Sequence, residues 1–194
     1  MGRSSIAVDS SIAEQLSKLA EEKHMTLYSL TNQILQVSLE MLREDYEPMD
    51  LKNLWQVYRI LRDVDAVVLP ADFMDTLIAE LYRTNKDELL KRFYQLGRDV
   101  GKYLQVVSEE FDAILHIAQK VSRFFPLKKV EFKYLSNDTY EVSVVGAGGR
   151  VETTWCMYEA LRGILEEYGA NIKDESVTKG LIRVRISLKS RKTI

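Results

Sequence analysis

The chain has 194 residues, 46% hydrophobic and 29% charged, with a formal net charge of −2. This is an ordinary globular balance with room for a small module and one larger domain, and it gives no overall pull towards nucleic acid or acidic lipid. One cysteine, Cys156, and two histidines, His24 and His116, exclude an intramolecular disulfide and a Cys/His zinc cluster and suit a reducing cytoplasm. No apolar run is long enough to cross a bilayer and no signal-peptide core opens the chain, so no membrane partner is expected.

In chain order, Arg3 to Val8 alternates: Ile6 and Val8 share one face, Arg3, Ser5 and Ala7 the other, which predicts a half-buried strand. Asp9, Ser10 and Ser11 supply capping oxygens, and Ser11 to Glu14 has capping-box spacing. The amphipathic helix that follows carries Ile12, Leu16, Leu19 and Ala20 on one stripe. Thr26 caps a second helix with Leu27, Leu30, Ile34, Val37 and Met41 on one stripe and Leu35, Leu39 and Leu42 on another. A segment of this size buries neither that surface nor that strand alone, so a second copy is expected, with Ile6, Val8, Leu30, Ile34, Val37 and Met41 as a shared core.

These residues resemble the ribbon-helix-helix family of DNA-binding proteins, the class of Arc and MetJ. The resemblance implies a two-stranded ribbon in the major groove, with Arg3, Ser5 and Ala7 facing the bases. It also implies that the amide end of the second helix, at Thr26, Leu27 and Tyr28, holds a phosphate. In place of the Gly that the family often has in the preceding turn, this chain has His24, which has to adopt a left-handed conformation.

Glu44 to Asp50 is acidic, contains Pro48 and breaks the apolar period, marking a boundary between residues 1–46 and a domain of residues 51–194. A helix is expected over Leu51 to Arg62, and a short buried or edge strand at Ala66 to Leu69, stopped by Pro70. Asp72 caps a helix that breaks at Thr84 and Asn85 and restarts through Val107. Gly97 and Gly101 sit four apart on it; each costs about 1 kcal/mol against Ala in a helix, so another element or a ligand comes close to the backbone there. A further helix runs from Ser108 to Pro126 and holds His116 as an ordinary residue.

From Val130 the period is two: Val130, Phe132 and Tyr134, a turn at Ser136 to Asp138, then Tyr140, Val142 and Val144, a hairpin. Gly146 to Gly149 then leads into a helix capped by Thr153 or Thr154. It has neither the Gly-Lys-Ser/Thr ending nor the Gly-x-Gly-x-x-Gly spacing of a nucleotide loop. Cys156 in this helix reads as a small buried hydrophobe, and Gly169 ends it. Ile182, Val184, Ile186 and Leu188 alternate with Arg183, Arg185, Ser187 and Lys189, a strand with one buried and one basic face.

The fold class expected is α+β: a ribbon-helix-helix dimerisation module over 1–46, then an antiparallel sheet covered by helices over 51–194. Val68-Leu69-Pro70 before a helix, Leu96 to Gly101, and the strand, strand, helix, strand ending resemble 4-vinyl-reductase-type small-molecule-binding domains. That resemblance implies a sensor or assembly domain with a small apolar ligand. The function expected is a dimeric DNA-binding transcriptional regulator in the cytoplasm. The alternative is an antitoxin-like or scaffold protein whose N-terminal module only dimerises. No carboxylate pair, Ser/His/Asp set or metal-spaced cluster stands out, so neither enzyme activity nor a cofactor or metal is expected.

Overall fold

A computed structural model describes residues 5–44, 47–63, 65–108, 110–122, 127–136 and 139–188, with the side chains of residues 113, 116, 117, 120 and 121 excepted. The chain divides into two compact units, residues 1–52 and 53–194.

In the first unit, helix α1 (Ser10–Glu22) is followed by α2 (Leu27–Leu42). Of the expected strand, Arg3 and Ser4 lie outside the described residues, described residues 5–9 form none, and Ile6 is 71% exposed. Alternation alone makes no strand where no neighbour takes its hydrogen bonds. The ribbon-helix-helix assignment is therefore corrected to a helical hairpin preceded by irregular chain. Asp9 is the N-cap residue of α1 but makes no side-chain capping bond, so the capping box read at Ser11 is not formed. His24 does take the left-handed conformation, φ 53°. It ends α1 with two bonds, His24 N–H to the Glu21 carbonyl at 3.0 Å and Met25 N–H to the Ala20 carbonyl at 2.9 Å, the paired closure that usually uses glycine. Thr26 caps α2, its Oγ1 accepting from Ser29 N–H at 3.1 Å. Among the described residues of this unit only Ala20 and Leu30 are buried.

Helix α3 (Pro48–Asp63) begins on the proline read as a breaker, because the first helical turn needs no amide there. Residues 66–70 form no strand: Val67 and Val68 are 78% and 79% exposed, and no other strand pairs with them. Helix α4 (Ala71–Val107) starts one residue before Asp72, which stands in the first turn instead of capping. Its kink falls at Asn85 (φ −152°, ψ 56°), where the sequence breaks. Then follow α5 (Phe111–Ser122), the hairpin β1 (Lys129–Ser136) and β2 (Thr139–Ala147), α6 (Val151–Glu167), β3 (Ala170–Thr178) and β4 (Gly180–Leu188). The fold is α+β, with one antiparallel sheet in the order β1-β2-β4-β3.

The alternation read in β2 and β4 decides the layers. Val142, Val144, Ile182, Val184 and Ile186 are buried with Phe111 and Leu115 of α5 and Tyr158 and Leu165 of α6. On the other face Lys133, Glu141, Arg185 and Asp174 are consecutive partners across all four strands, a row of alternating sign. The face read as basic is thus locally neutralised: Arg185 lies 3.7 Å from Glu141. Lys189 lies outside the described residues.

Candidate apolar binding cavity

Close packing of α4 on α6 shapes the second unit. A Cβ on Gly97 would overlap the main chain of Ala160, and one on Gly163 would overlap that of Tyr94. The Gly97 and Gly101 spacing thus marks close packing on α6, Gly97 against the Ala160 main chain and Gly101 against the Glu167 side chain. Arg98 ties the same crossing to the end of α6, where it is hydrogen-bonded to Glu167. Past the crossing, small side chains face larger ones around a void of about 300 Å³. Its walls are Val57 and Ile60 of α3, Val100 and Leu104 of α4, Ile114 and Ala118 of α5, Ala160 and Ile164 of α6, and the inner sheet face at Val130, Val144 and Ile182.

No charged side chain stands in this lining. Its one hydroxyl, on Ser122, is engaged: Oγ donates to the Gln119 carbonyl at 2.8 Å. A lining of this kind favours apolar matter over water.

Two polar regions are closed by contrast. In the open cleft between α6 and β3, Arg162 donates to Glu159 at 2.5 Å and Tyr158 donates its hydroxyl to Glu175. Burial foremost, with Glu175 next, pushes the Tyr158 phenol upward. Tyr94 donates to Glu166 at 2.5 Å, and Arg98 is held protonated by its bonds to Tyr94 and Glu167. The second closed region is the glycine loop before α6, where Gly149 N–H donates to Asp75 Oδ2 at 2.8 Å. A buried carboxylate from α4 thus occupies the place a phosphate would take, which removes the nucleotide reading. Arg150, not Thr153 or Thr154, is the N-cap residue of α6. Cys156 is fully buried, and burial pushes its thiol up to about 12, which matches a packing residue and not a nucleophile.

The residues singled out for DNA stand before α1 and at the start of α2. Arg3 lies outside the described residues, and Ser5 and Ala7 are exposed on irregular chain. Thr26 spends its hydroxyl oxygen as a cap, while Leu27 and Tyr28 are exposed at the start of α2. Of the residues assigned to a shared core, Leu30 is buried and Met41 half-buried, whereas Ile6, Val8, Ile34 and Val37 are exposed.

No protein-family model and no curated protein matches the chain. Several similar solved structures are H-NOX domains. One is an oxygen-binding H-NOX domain related to soluble guanylate cyclases: 14% identity, TM-score 0.39, covering 73% of this chain and 92% of that one. Another, from T. tengcongensis, is 15% identical at TM-score 0.39, covering 83% of this chain and 98% of that one. A third, from work on H-NOX activation, is 16% identical at TM-score 0.38, covering 73% and 93%. No family model supports the ribbon-helix-helix or the 4-vinyl-reductase-type resemblance, and neither is kept. Without a strand in described residues 5–9 to enter a groove, DNA is withdrawn as a partner. Transcriptional regulation and the assembly-only alternative are withdrawn with it.

The cavity itself was missed by sequence reasoning. Its walls come from four helices and the sheet, and only the glycine pair on α4 hinted that a second element approached there. Asp75 was missed as well, since a carboxylate in a helix's first turns looks like a solvated residue until the loop from 146 to 149 is placed on it.

Proposed function

We propose that residues 53–194 form a domain that binds one small apolar molecule in this cavity. The observation that carries the reading is the lining: about 300 Å³ lined by hydrocarbon, with its single hydroxyl already bonded. An engineered apolar cavity of about 150 Å³ takes up benzene, so roughly twice that space suits two fused rings or about ten carbons. Bringing an unpaired hydroxyl or amide into such a lining costs about 1–3 kcal/mol, which restricts the occupant to hydrocarbon-like molecules. We read the domain as a binding and sensing module without chemistry of its own, in a cytoplasmic protein, the single buried thiol being consistent with that compartment. No described helix is long and apolar enough to cross a membrane.

Haem, the group named for one H-NOX structure, does not fit this lining. Among the described residues, no His, Cys or Tyr side chain lines the cavity to hold the iron, and no Lys or Arg lines it to pair the propionates. Met157 is the one sulfur there, and a thioether holds haem iron together with a second ligand. His116 stands in α5, and its side chain lies outside the described residues.

Titration with naphthalene, followed by methyl NMR, tests the reading. Saturable shifts are expected in the Ile, Leu and Val methyls that line the cavity, with a rise in Tm. At a hundredfold excess over Kd the stabilisation is about 2.7 kcal/mol. Ala118→Phe, which fills the space, should abolish the shifts and leave the circular dichroism spectrum intact. Absence of saturable shifts in the parent protein would overturn the proposal.

A further inference from the structure

The cavity is only partly enclosed, and its walls are unequally held. The sheet is held by three antiparallel ladders. Helices α4 and α6 are in backbone contact at Gly97 and Gly163 and are tied by Arg98 to Glu167. Helix α5 is anchored by Phe111, whose ring meets those of Tyr140 and Tyr168 at 5.6 and 5.8 Å. Helix α3 is held least. Val57, 4% exposed, and Ile60 face the cavity, while Leu54, Trp55 and Tyr58 lie exposed. One described hydrogen bond ties its C-terminal end to α4, from Tyr103 Oη to Asp63 Oδ2 at 2.9 Å.

The link that follows completes the case. Asp65 is left-handed, φ 51°, and residues 66–70 have neither helix nor strand. Because Val67 and Val68 are already in solvent, bending this link breaks no packing. The weakest wall is therefore joined to the rigid helix α4 by a segment with exposed side chains, whose Asp65 and Ala66 amides bond back to Arg62 and Leu61 of α3 and so move with it.

We propose that α3, from Asn53 to Asp63, is a lid over the apolar cavity, latched to α4 by the Asp63–Tyr103 hydrogen bond and hinged on residues 65–70. The proposal rests on the binding reading above. Opening withdraws Val57 and Ile60 from the cavity and widens the way in for the ligand; closing buries them against it. An occupied cavity holds the lid shut, because the ligand replaces empty space with contacts to both side chains.

The test uses the full chain with naphthalene as probe. Amide hydrogen exchange over residues 53–63 should slow when naphthalene is bound, with α4 and α6 little changed. Tyr103→Phe, which removes the latch hydroxyl and keeps the ring, should raise the naphthalene dissociation rate by about threefold to tenfold, the span expected for one hydrogen bond. It should also speed exchange in α3 of the free protein. Asp63→Asn should act in the same direction. If the parent protein binds naphthalene but exchange in α3 does not respond and Tyr103→Phe dissociates at the parent rate, the lid is refuted and the cavity stands. If the parent protein gives no saturable methyl shifts, the binding reading and the lid fall together.

Discussion

Gly163 of α6 faces Gly97 of α4 so closely that a Cβ on Gly163 would stand 3.0 Å from the Gly97 carbonyl carbon. Two glycines inside helices are a local cost, about 1 kcal/mol each against Ala, and the packing of the second unit recovers it. The contact fixes one edge of the cavity and makes α4 and α6 its rigid walls.

Gly97→Ala should therefore destabilise the protein despite improving helix propensity. The propensity gain is about 1 kcal/mol, while overpacking costs about 1–3 kcal/mol and more where the obstacle is main chain, as the Ala160 carbonyl is here. A net loss of about 2 kcal/mol is expected in urea unfolding. Gly169→Ala meets nothing within 4 Å, and its φ of 71° is the sole source of strain, so its loss should stay near 1 kcal/mol. Equal losses for the two variants would contradict the account.

Asp75 should matter out of proportion to its place in the sequence. Its carboxylate, 7% exposed, accepts the Gly149 amide at the start of α6, where the helix end favours negative charge. Asp75→Ala leaves that amide without a partner and should cost about 1.5–3 kcal/mol. Asp75→Asn keeps an acceptor oxygen and should cost clearly less. A thermal melt of the two variants beside the parent checks the order.

These two positions also show what was legible before the structure. Periodicity was enough for β4, since Ile182, Val184 and Ile186 repeat at the strand period with charges between them, and for the helix break at Asn85, where propensity and capping both change. It failed wherever a partner decides the outcome. The alternation of Ile6 and Val8 and the apolar run at Val67 and Val68 read as strands, yet neither stretch finds a neighbour in the described chain. Edge strand β3 was not placed for the opposite reason: Lys173, Asp174 and Glu175 interrupt any alternation, and the ladder of β4 holds them extended around a bulge between Ile172 and Asp174. The cavity leaves no local signature, because Val57, Val100, Ala118, Ala160 and Ile182 are ordinary apolar residues until the topology gathers them.

Cys156 should be silent in the native protein. A fully buried thiol raised to about 12 is protonated at neutral pH and unreactive towards a disulfide reagent until the fold opens. The linkage has a definite sign. The folded pKa lies above the ordinary value of 9.0, so the contribution to stability is complete below about 9 and is lost as pH climbs towards 12. Urea midpoints measured from pH 8 to 11 should fall, and Cys156→Ala should fall less steeply. Rapid labelling of the native protein at pH 8 would contradict this placement.

The Asp63 latch carries a pH signature of the opposite kind. Its carboxyl is held below the ordinary 3.8, first by the hydrogen bond from Arg62, at 2.9 Å, then by that from Tyr103, with burial opposing and the charges of Arg62 and Arg59 adding. A depressed carboxyl stabilises the fold above its unfolded value and loses that contribution as pH falls through the lower folded value. The latch should therefore stay intact through pH 5 and weaken only in acid below about 4. The site is exposed to water, so salt should blunt the effect. Carboxyl-carbon NMR should give Asp63 a midpoint below the ordinary 3.8, and Tyr103→Phe should move it upward while Arg62 remains in place. If Tyr103→Phe leaves the midpoint where it was, the hydrogen bond does not persist in solution and α3 is free of its latch at every pH.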